Sequence, residues 1–158
     1  DEKTTFKIMD CENLEFPDNS FDLILDGGTF SSLNLKNALP ELARVLKPDG
    51  KIIGIETLGH NPLFNLKRRL NVLRGTRTKW AAHHIFKVSD FALMRRYFHK
   101  IEAKFFHLAA LSVMPIIKIP GAHFALKTAD KMDCALLQIP FLKKYAFKTV
   151  FIASQPKK

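Results

Sequence analysis

Four side chains in this sequence have the chemistry of a general base. His83 and His84 are adjacent, and His60 and then Glu56 are the next candidates along the chain. A neutral imidazole can accept a proton near pH 7, so a histidine is suited to deprotonate a substrate hydroxyl or amine, or to orient that group. These four residues are therefore the candidate catalytic groups.

The same histidines do not predict a metal site. Adjacent residues on a helix point in different directions, so His83 and His84 cannot both bind one ion. No cysteine or carboxylate follows them at the spacing of a metal ligand. We therefore predict that the protein binds no metal through these residues.

A second candidate site is the glycine pair Gly27-Gly28, which follows the apolar run Phe21 to Leu25 and Asp26. Glycine suits a position where the backbone must approach a ligand closely. It equally suits any sharp turn at the end of a strand. The residue types alone leave both interpretations open.

The stretch Asn19 to Thr57 contains the elements that must position these groups. Phe21 to Leu25 is typical of a short parallel strand that is buried on both faces. Lys51 to Ile55 is a second apolar strand. A helix between the two is predicted by apolar residues at spacings of three and four, namely Leu39, Leu42, Ala43 and Leu46.

Turn chemistry fixes the ends of this helix. Pro40 lacks an N–H and fits only the first turn, which predicts a start near Asn37. Lys47 to Gly50 then ends the helix and turns the chain. A strand, a crossover helix and a parallel strand imply an open α/β sheet, in which ligands bind beyond the carboxyl ends of the strands.

A basic amphipathic helix is predicted after Asn61, with Asn61 as N-cap, Pro62 as the first residue and Gly75 as terminator. Its leucines form one face, which we expect to pack on the core, namely Leu63, Leu66, Leu70 and Leu73. The cations from Lys67 to Lys79 then form a solvated face. An anionic membrane surface or a phosphate-bearing substrate are the other interpretations of this charge.

The remaining elements follow from composition and spacing. We predict strands at Thr5 to Met9, Ile101 to Leu108 and Phe147 to Ala153, and a helix from Asp90 to Phe98 capped by Ser89. A further amphipathic helix lies within Ala109 to Ala146, and the four-residue tail after Ser154 is expected to be loose.

Composition limits the class of protein. The chain has 158 residues, of which 47% are hydrophobic, so one domain with a sizeable core is expected. The net charge of +10 favours an anionic partner such as nucleic acid, anionic lipid or a phosphorylated substrate, without choosing among them. Cys11 and Cys134 are far apart and no apolar run could span a bilayer, so we expect a cytoplasmic protein with peripheral membrane contact as an option.

The strings LEFPDNSFDLIL and ELARVLKPDGKIIGIE, within Phe6 to Glu56, resemble the second half of a class I S-adenosylmethionine-dependent methyltransferase. The resemblance implies a Rossmann-like α/β sandwich with strand order 3-2-1-4-5-7-6 and an antiparallel last strand. It implies the cofactor S-adenosyl-L-methionine and methyl transfer to a small-molecule, lipid or glycan acceptor. It also implies that Trp80 to Phe86 covers the substrate. Ala109 to Ala146 is longer than the usual link between the last two strands, and we interpret it as an inserted helical cap that either closes a substrate pocket or touches membrane.

The resemblance also assigns cofactor contacts. The Asp10 carboxylate would accept from the adenine amine, the Cys11 backbone N–H would donate to the ring, and Leu14 would supply an apolar contact. By the same resemblance the backbone of Asp26, Gly27 and Gly28 would face the methionine part and the methyl group. The alternative is that Asp10 and Asn13 only shape a turn.

No strand followed by a glycine-rich cofactor loop precedes Thr5 to Met9. The resemblance therefore implies that residues 1–158 form a partial methyltransferase domain, the carboxyl-terminal part of a larger enzyme, and that this chain alone is inactive. Thr5 to Met9 would then lack a neighbour in the sheet, and the Phe21 to Leu25 edge would be exposed. The rivals are a non-catalytic relative that binds through its basic surface and a nucleic-acid methyltransferase or binder that uses residues 67–79.

Overall fold

The computed structural model describes residues 4–76 and 84–158. Its four strands form one mixed sheet in the order β1-β2-β4-β3. The pair β1 and β2 is parallel, and β4 is antiparallel to both of its neighbours. This order confirms the one implied for the last four strands. The strands are β1 (Phe21–Asp26), β2 (Leu46–Thr57), β3 (Phe98–Phe106) and β4 (Lys148–Pro156).

The helices connect the strands and cover one side of the sheet. A 3-10 turn at Phe30–Ser32 follows β1, and a second one lies at Met114–Ile116. The α-helices of the described residues are α1 (Leu35–Val45), α2 (Pro62–Leu73), α3 (Asp90–Met94), α4 (Ala110–Val113), α5 (Ala122–Leu136) and α6 (Pro140–Lys143).

Helix α1 begins at Leu35, so the predicted start near Asn37 was wrong. Asn34 is the N-cap, and its side chain accepts a hydrogen bond from the Lys36 N–H at 3.2 Å. Pro40 consequently lies inside the helix, beyond the first turn. The start of the helix is therefore set by the Asn34 cap and not by the position of Pro40.

The turn predicted at Lys47 to Gly50 lies within β2 instead of before it. Helix α1 ends at Val45 and β2 starts with the next residue. Phe21 pairs with Leu46, but Leu23 already pairs with Lys51, so the extra residues form an irregularity in the ladder. The turn-forming residues therefore bend the strand and do not separate it from the helix.

The segment Thr5 to Met9 is not a strand, although its composition predicted one. It has no strand pairing, and the side chains of Phe6 and Ile8 are exposed. Strand β1 is the edge of the sheet, and its Leu23 and Leu25 are also exposed. This confirms that the segment lacks a neighbour in the sheet and that the β1 edge is open.

The two faces of the sheet differ in how they are covered. One face carries Ile52, Gly54 and Glu56 of β2 beside Phe151 and Ala153 of β4, and all of these are buried. This covered face packs against α1 and against a group of rings, namely Phe30, Phe86 and Phe91.

The other, open face carries the alternate residues of the same strands. Leu25 is 71% exposed, Leu23 43% and Ile55 46%. Ile53 and Ile152, which pair across β2 and β4, are only partly buried. The open face is therefore apolar without a covering layer among the described residues.

Helix α2 has the predicted bounds but the opposite orientation. Asn61 and Pro62 start it, and Gly75, with a φ of 71°, follows its end. Leu66 and Leu73 are exposed, whereas Arg68 is buried. The expectation that the leucine face packs on the core was therefore wrong. None of the described helices is long and apolar enough to cross a bilayer.

The end of α3 and its cap differ from the sequence prediction. Helix α3 ends at Met94, because Phe98 is fully buried as the first residue of β3. Ser89 makes no capping hydrogen bond; instead the Asp90 carboxylate accepts from the Lys87 N–H at 2.7 Å. These contacts replace the longer helix that was predicted to reach Phe98.

The carboxyl-terminal residues are bonded, and the prediction of a loose tail was wrong. Strand β4 extends to Pro156, and the Lys157 N–H donates to the Tyr97 carbonyl at 2.7 Å. The Lys158 ammonium donates to carbonyl oxygens at the end of α1, at 2.7 to 3.0 Å, namely those of Ala43, Arg44 and Leu46.

The helices between β3 and β4 are joined to the sheet by one carboxylate. Asp133 of α5 is buried and accepts backbone N–H bonds at 2.6 to 3.2 Å from Leu108, Ala109 and Ala110. Those three donors lie at the start of α4, where a helix leaves N–H groups without intrahelical partners. Asp133 thus links α5 to the end of β3.

Candidate functional site

The carboxyl ends of β1 and β2 form an acidic rim, and Asp26 shapes its first half. Its buried carboxylate accepts from the Thr29 N–H at 2.8 Å and the Gly28 N–H at 3.3 Å. Gly28 has a φ of 103°, a conformation that glycine adopts readily. Apart from its chain neighbours, no atom of residues 4–76 and 84–158 lies within 4 Å of the position where a Cβ of Gly27 would be. The backbone at Gly27 is therefore open to a ligand.

The loop from Asp10 to Leu14 lies beside this rim. Burial raises the pKa of the Cys11 thiol, and the negative charges of Asp10, Asp26 and Glu12 raise it further. The charge of Asp26 therefore lies within electrostatic reach of Cys11. The assignment of Cys11, Asp26 and Gly27 to the cofactor stays a prediction.

The side chain of Asp10 is used in a turn. Its carboxylate accepts from the Glu12 N–H at 2.9 Å, and its carbonyl accepts from the Asn13 N–H at 3.1 Å. Asp10 remains exposed, so its second carboxylate oxygen faces solvent. The turn-forming role is therefore present, and it is compatible with a contact to a ligand.

Two carboxylates, one in the loop and one on α1, hold this loop against α1. Glu12 accepts from the Asn34 N–H at 2.8 Å and from the Asn37 amide at 3.0 Å. Glu41 accepts from the Leu14 N–H at 2.9 Å. Leu14 also packs against the main core, so the loop is anchored at both ends.

Arg44 of α1 completes this anchor. Its guanidinium donates to the carbonyls of Leu14 and Phe16 and to the carboxylates of Asp18 and Glu41, at 2.8 to 3.0 Å. These hydrogen bonds raise the pKa of Arg44 above its already high value, so it remains charged at every working pH. Arg44 therefore fixes the course of the chain between the loop and β1.

Glu56 forms the second half of the rim and is almost completely buried, with 1% of its surface exposed. Its two oxygens accept from the Ser31 N–H at 3.1 Å and the Ser31 hydroxyl at 2.7 Å. Burial raises the pKa of Glu56, and the hydrogen bonds from Ser31 partly oppose this effect. The Ser31 oxygen in turn accepts from the Phe86 N–H at 3.3 Å, which links the rim to the segment around His84.

His84 lines a small cavity next to the rim, with a volume of about 190 Å³. Asn34, which contacts Glu12, also lines this cavity. Ile85 and Phe86 are buried in the main core and do not form a surface cover. The rest of the predicted cover, Trp80 to His83, lies outside the described residues, and so does the candidate base His83.

His60 lies in the segment that follows β2. Burial lowers the pKa of its imidazole, and the charges of Lys87 and Lys144 lower it further, against the opposing effect of Asp90. Among the described residues, its buried Nε2 atom has no hydrogen-bond partner. His60 is thus neutral near pH 7, but none of these electrostatic neighbours belongs to the rim.

A larger cavity of about 660 Å³ lies at the far edge of the sheet, between β3 and the helices α5 and α6. It is lined by polar and apolar residues, among them Lys104, His107, Cys134 and Lys143. Strands β2 and β4 separate β3 from β1. This cavity is therefore not part of the rim. Within the described residues, no group of three or more His, Cys, Asp or Glu could hold a metal ion.

Ser31 and Arg44 are site residues that the sequence interpretation missed. Ser31 bridges Glu56 and Phe86, and Arg44 binds four groups before β1 and on α1. The only sequence signal was the pair Glu41 and Arg44, whose spacing of three residues is typical of an ion pair on one helix face.

Residues 1–54 match the sequence profile of a family described as "Methyltransferase domain". The matched part ends inside β2 and contains the loop, β1 and α1. This first third of the chain is similar to methyltransferases. The profile covers Asp26, which shapes the first half of the acidic rim, but not Glu56, which forms the second half.

Two curated proteins are similar to parts of this chain. A ubiquinone/menaquinone biosynthesis C-methyltransferase of Cupriavidus metallidurans is 39% identical over 54 residues, which are 34% of this chain and 22% of that protein. A mitochondrial arginine-hydroxylase of Rattus norvegicus is 34% identical over 79 residues, which are 49% of this chain and 23% of that protein. The matched part thus spans less than a quarter of either relative.

The fold is shown by solved methyltransferase structures. Phosphoethanolamine N-methyltransferase 2 of Haemonchus contortus, in complex with phosphomonomethylethanolamine and S-adenosylhomocysteine, superposes with a TM-score of 0.56 at 17% identity. The superposition covers 95% of this chain and 37% of that one. The described sheet therefore has the Rossmann-like architecture of these enzymes.

The residues of the rim fit an adenosyl cofactor. The space beside Gly27 admits a ligand next to the backbone, and the neighbouring loop offers the Cys11 N–H and the exposed Asp10 carboxylate. An adenine presents a donor beside an acceptor, and this pair offers the complementary groups. The carboxylates of Asp26 and Glu56 add negative charge, which suits a cationic sulfonium.

Proposed function

We propose that the full protein transfers the methyl group of S-adenosyl-L-methionine to a small-molecule acceptor, with a lipid-like molecule as the favoured class. One observation carries the proposal. Residues 1–54 match a methyltransferase domain, and within them the Asp26 carboxylate fixes the Gly28 and Thr29 N–H groups at the carboxyl end of β1. The principal alternative is a non-catalytic binding module, because a ligand could bind at the rim without any methyl transfer.

When bound, S-adenosyl-L-methionine supplies an electrophilic methyl group, whose bond to sulfur breaks with its electron pair returning to sulfur. The protein has mainly to align the acceptor with that bond. In this proposal Asp10, Cys11 and Leu14 hold the adenine side, and Asp26 keeps the backbone of Gly27 and Gly28 in place.

The proposed roles of the other candidates follow from their burial. Glu56 is a positioning residue, because both of its oxygens accept from Ser31 and little of it meets solvent. His84 lies at the cavity beside the rim and is the favoured group to orient the acceptor or accept its proton. His60 is a further candidate, and His83, which lies outside the described residues, stays a candidate from the sequence alone.

The lipid-like acceptor is supported by two observations. The relative from Cupriavidus metallidurans is named for ubiquinone and menaquinone biosynthesis. Helix α2 also exposes apolar side chains next to cations, which supports peripheral contact with an anionic membrane.

Titration calorimetry with S-adenosylhomocysteine tests the cofactor site in the product of the complete reading frame. We expect binding to one site, and a loss of about tenfold or more in Asp26→Ala because the loop of Gly27 loses its anchor. The matched control is Asp22→Ala on the same strand, where the carboxylate is exposed and pairs only with Lys47. No heat for the wild type, or equal losses in both variants, would remove the proposal.

Radioactive methyl transfer tests the acceptor class. The protein is incubated with S-adenosyl-L-methionine labelled in the methyl group and with a cell extract, which is then separated into organic, aqueous, protein and nucleic-acid fractions. We expect label in the organic phase. Label confined to nucleic acid or protein would overturn the lipid-like acceptor, and no label with intact cofactor binding would favour the non-catalytic rival.

A further inference from the structure

Helix α2 presents its apolar side to solvent. Leu66, Leu70 and Leu73 are spaced by four and three residues, so they share one side of the helix. Their exposed fractions are 58%, 42% and 83%. We call these three side chains the leucine face.

Polar contacts on the opposite side fix this orientation. Arg68 is buried and donates to the Leu58 carbonyl at 3.2 and 3.3 Å and to the Asn65 side chain at 3.0 Å. Asn65 donates to the Gly59 carbonyl at 2.8 Å. A rotation of α2 that buried the leucine face would break these bonds and leave buried carbonyls unsatisfied. The exposure of the leucines is therefore built into the fold.

Ring packing supports the same orientation at the start of the helix. The rings of Phe64 and Phe147 have centroids 4.5 Å apart, and the Asn61 amide donates to the Tyr145 carbonyl at 3.2 Å. Both partners lie in the segment that leads into β4. The inner side of α2 is thus fully engaged with the protein.

Cations flank the leucine face. Lys67 and Arg69 are exposed and lie to either side of Leu70 and Leu66 on the helix surface, and Arg74 follows at the end. The sequence contains no Asp or Glu between Glu56 and Asp90. Leucines bordered by cations with no acidic residue form a surface that is complementary to an apolar layer under negative charges.

We propose that α2 docks this protein, lying parallel to the surface, on anionic phospholipid membrane. The leucine face enters the boundary between headgroups and acyl chains, and Lys67, Arg69 and Arg74 contact lipid phosphates. At roughly 1.5 Å per residue, a helix of this length is too short to cross the membrane.

The charge and the apolar surface together favour anionic lipid over a second copy of the chain and over nucleic acid. A second copy of the chain would bring two cationic helices together, since each copy carries a net charge of +10. Nucleic acid would engage Lys67 and Arg69 but would leave the leucine face in water. Anionic lipid satisfies both halves of the surface.

Vesicle sedimentation tests the proposal with two helix-preserving variants. Vesicles contain either phosphatidylcholine alone or phosphatidylcholine mixed with phosphatidylglycerol. We expect binding to the mixed vesicles only, weakening as salt is added. Binding should fall about tenfold or more in Leu66→Gln/Leu70→Gln/Leu73→Gln, and clearly in Lys67→Gln/Arg69→Gln, because each variant removes one half of the surface.

The control variants lie on α5. Lys127→Gln/Lys131→Gln removes the same charge from exposed positions, and Met132→Gln removes an exposed apolar side chain; both should bind vesicles as the wild type does. Circular dichroism checks that each variant is folded. S-adenosylhomocysteine titrations of the same variants should be unchanged, so failure of the docking surface is distinguishable from failure of the cofactor site.

Three outcomes would overturn the docking surface. The first is equal sedimentation with neutral and anionic vesicles, or no sedimentation at all. The second is a dimer in light scattering that the leucine variant dissociates, which would assign the leucine face to a second copy. The third is binding of a labelled RNA duplex that is lost in Lys67→Gln/Arg69→Gln but kept in the leucine variant.

Discussion

The covered and the open face of the sheet are built from the same strands, yet they differ in what a side chain experiences. On the covered face, Phe151 of β4 is fully buried between Phe86 and Phe91. On the open face, Leu25 of β1 is 71% exposed. Both residues are large and apolar. The difference shows that a position contributes according to the layer that covers it, and not according to its residue type alone.

The largest contrast is expected from truncating one large side chain on each face. Phe151→Ala should lower the free energy of unfolding by about 3–5 kcal/mol, because it leaves a cavity among packed rings. Leu25→Ala should change it by less than about 0.5 kcal/mol, since its side chain already meets water. Urea denaturation followed by circular dichroism measures both. Similar losses in the two variants would contradict the assignment of the faces.

Two glycines in different surroundings extend this comparison, one on the covered face and one in the loop after β1. A Cβ at Gly54 would clash with the ring of Phe151, so Gly54→Ala should cost about 1–3 kcal/mol of stability. Gly27 has open space, so Gly27→Ala should stay within about 0.5 kcal/mol of the wild type.

The same pair of variants separates stability from binding. If the rim holds the cofactor, Gly27→Ala should weaken S-adenosylhomocysteine binding although the fold is unchanged, because the methyl group occupies the approach to the backbone. A Gly27→Ala variant that binds as tightly as the wild type would place the cofactor elsewhere.

A smaller, pH-dependent effect is expected where the covered face ends at Glu56. Burial raises its pKa above the ordinary value of 4.5, so the folded chain holds the proton more tightly than the unfolded chain. The resulting stabilisation is complete below pH 4.5 and is lost as the pH rises through the raised pKa. Glu56→Gln removes this contribution. The free energy of unfolding of the wild type, relative to that of Glu56→Gln, should therefore decrease as the pH is raised from 4 to 8.

The smallest change in stability is expected at the open edge. Leu25→Lys should alter the unfolding free energy by less than about 0.5 kcal/mol, but it should slow aggregation, because charged residues on an edge strand discourage pairing with other chains. Light scattering during incubation at fixed concentration measures the rate. Lys51→Gln, which removes a charge from the neighbouring strand, should speed aggregation.

The order of the four strands followed from the family resemblance, which rests on the agreement of the turn, strand and helix signals between Phe16 and Ile55. It did not predict which side of α2 faces the sheet. The leucine spacing identifies one apolar side, but Arg68 and Asn65 decide the orientation through the carbonyls of Leu58 and Gly59. Such tertiary hydrogen bonds leave no periodic signal.

The candidate site could be predicted only through the resemblance, which assigned Cys11, Asp26 and Gly27 to the cofactor. That assignment stays a prediction, although the Asp26 carboxylate does bond the two N–H groups that follow Gly27. Ser31 was not found, because its role depends on Glu56, which is distant in sequence. The start of α1 was missed for a local reason, since Asn34 and Pro40 gave competing signals and the cap prevailed.

The bonds of Lys158 make the last residue part of the scaffold that supports the loop. Its ammonium neutralises the carbonyl end of the helix that carries Arg44, and Arg44 in turn holds the chain before β1. A substitution of this lysine would therefore be felt in the loop before β1, more than a hundred residues earlier in the sequence.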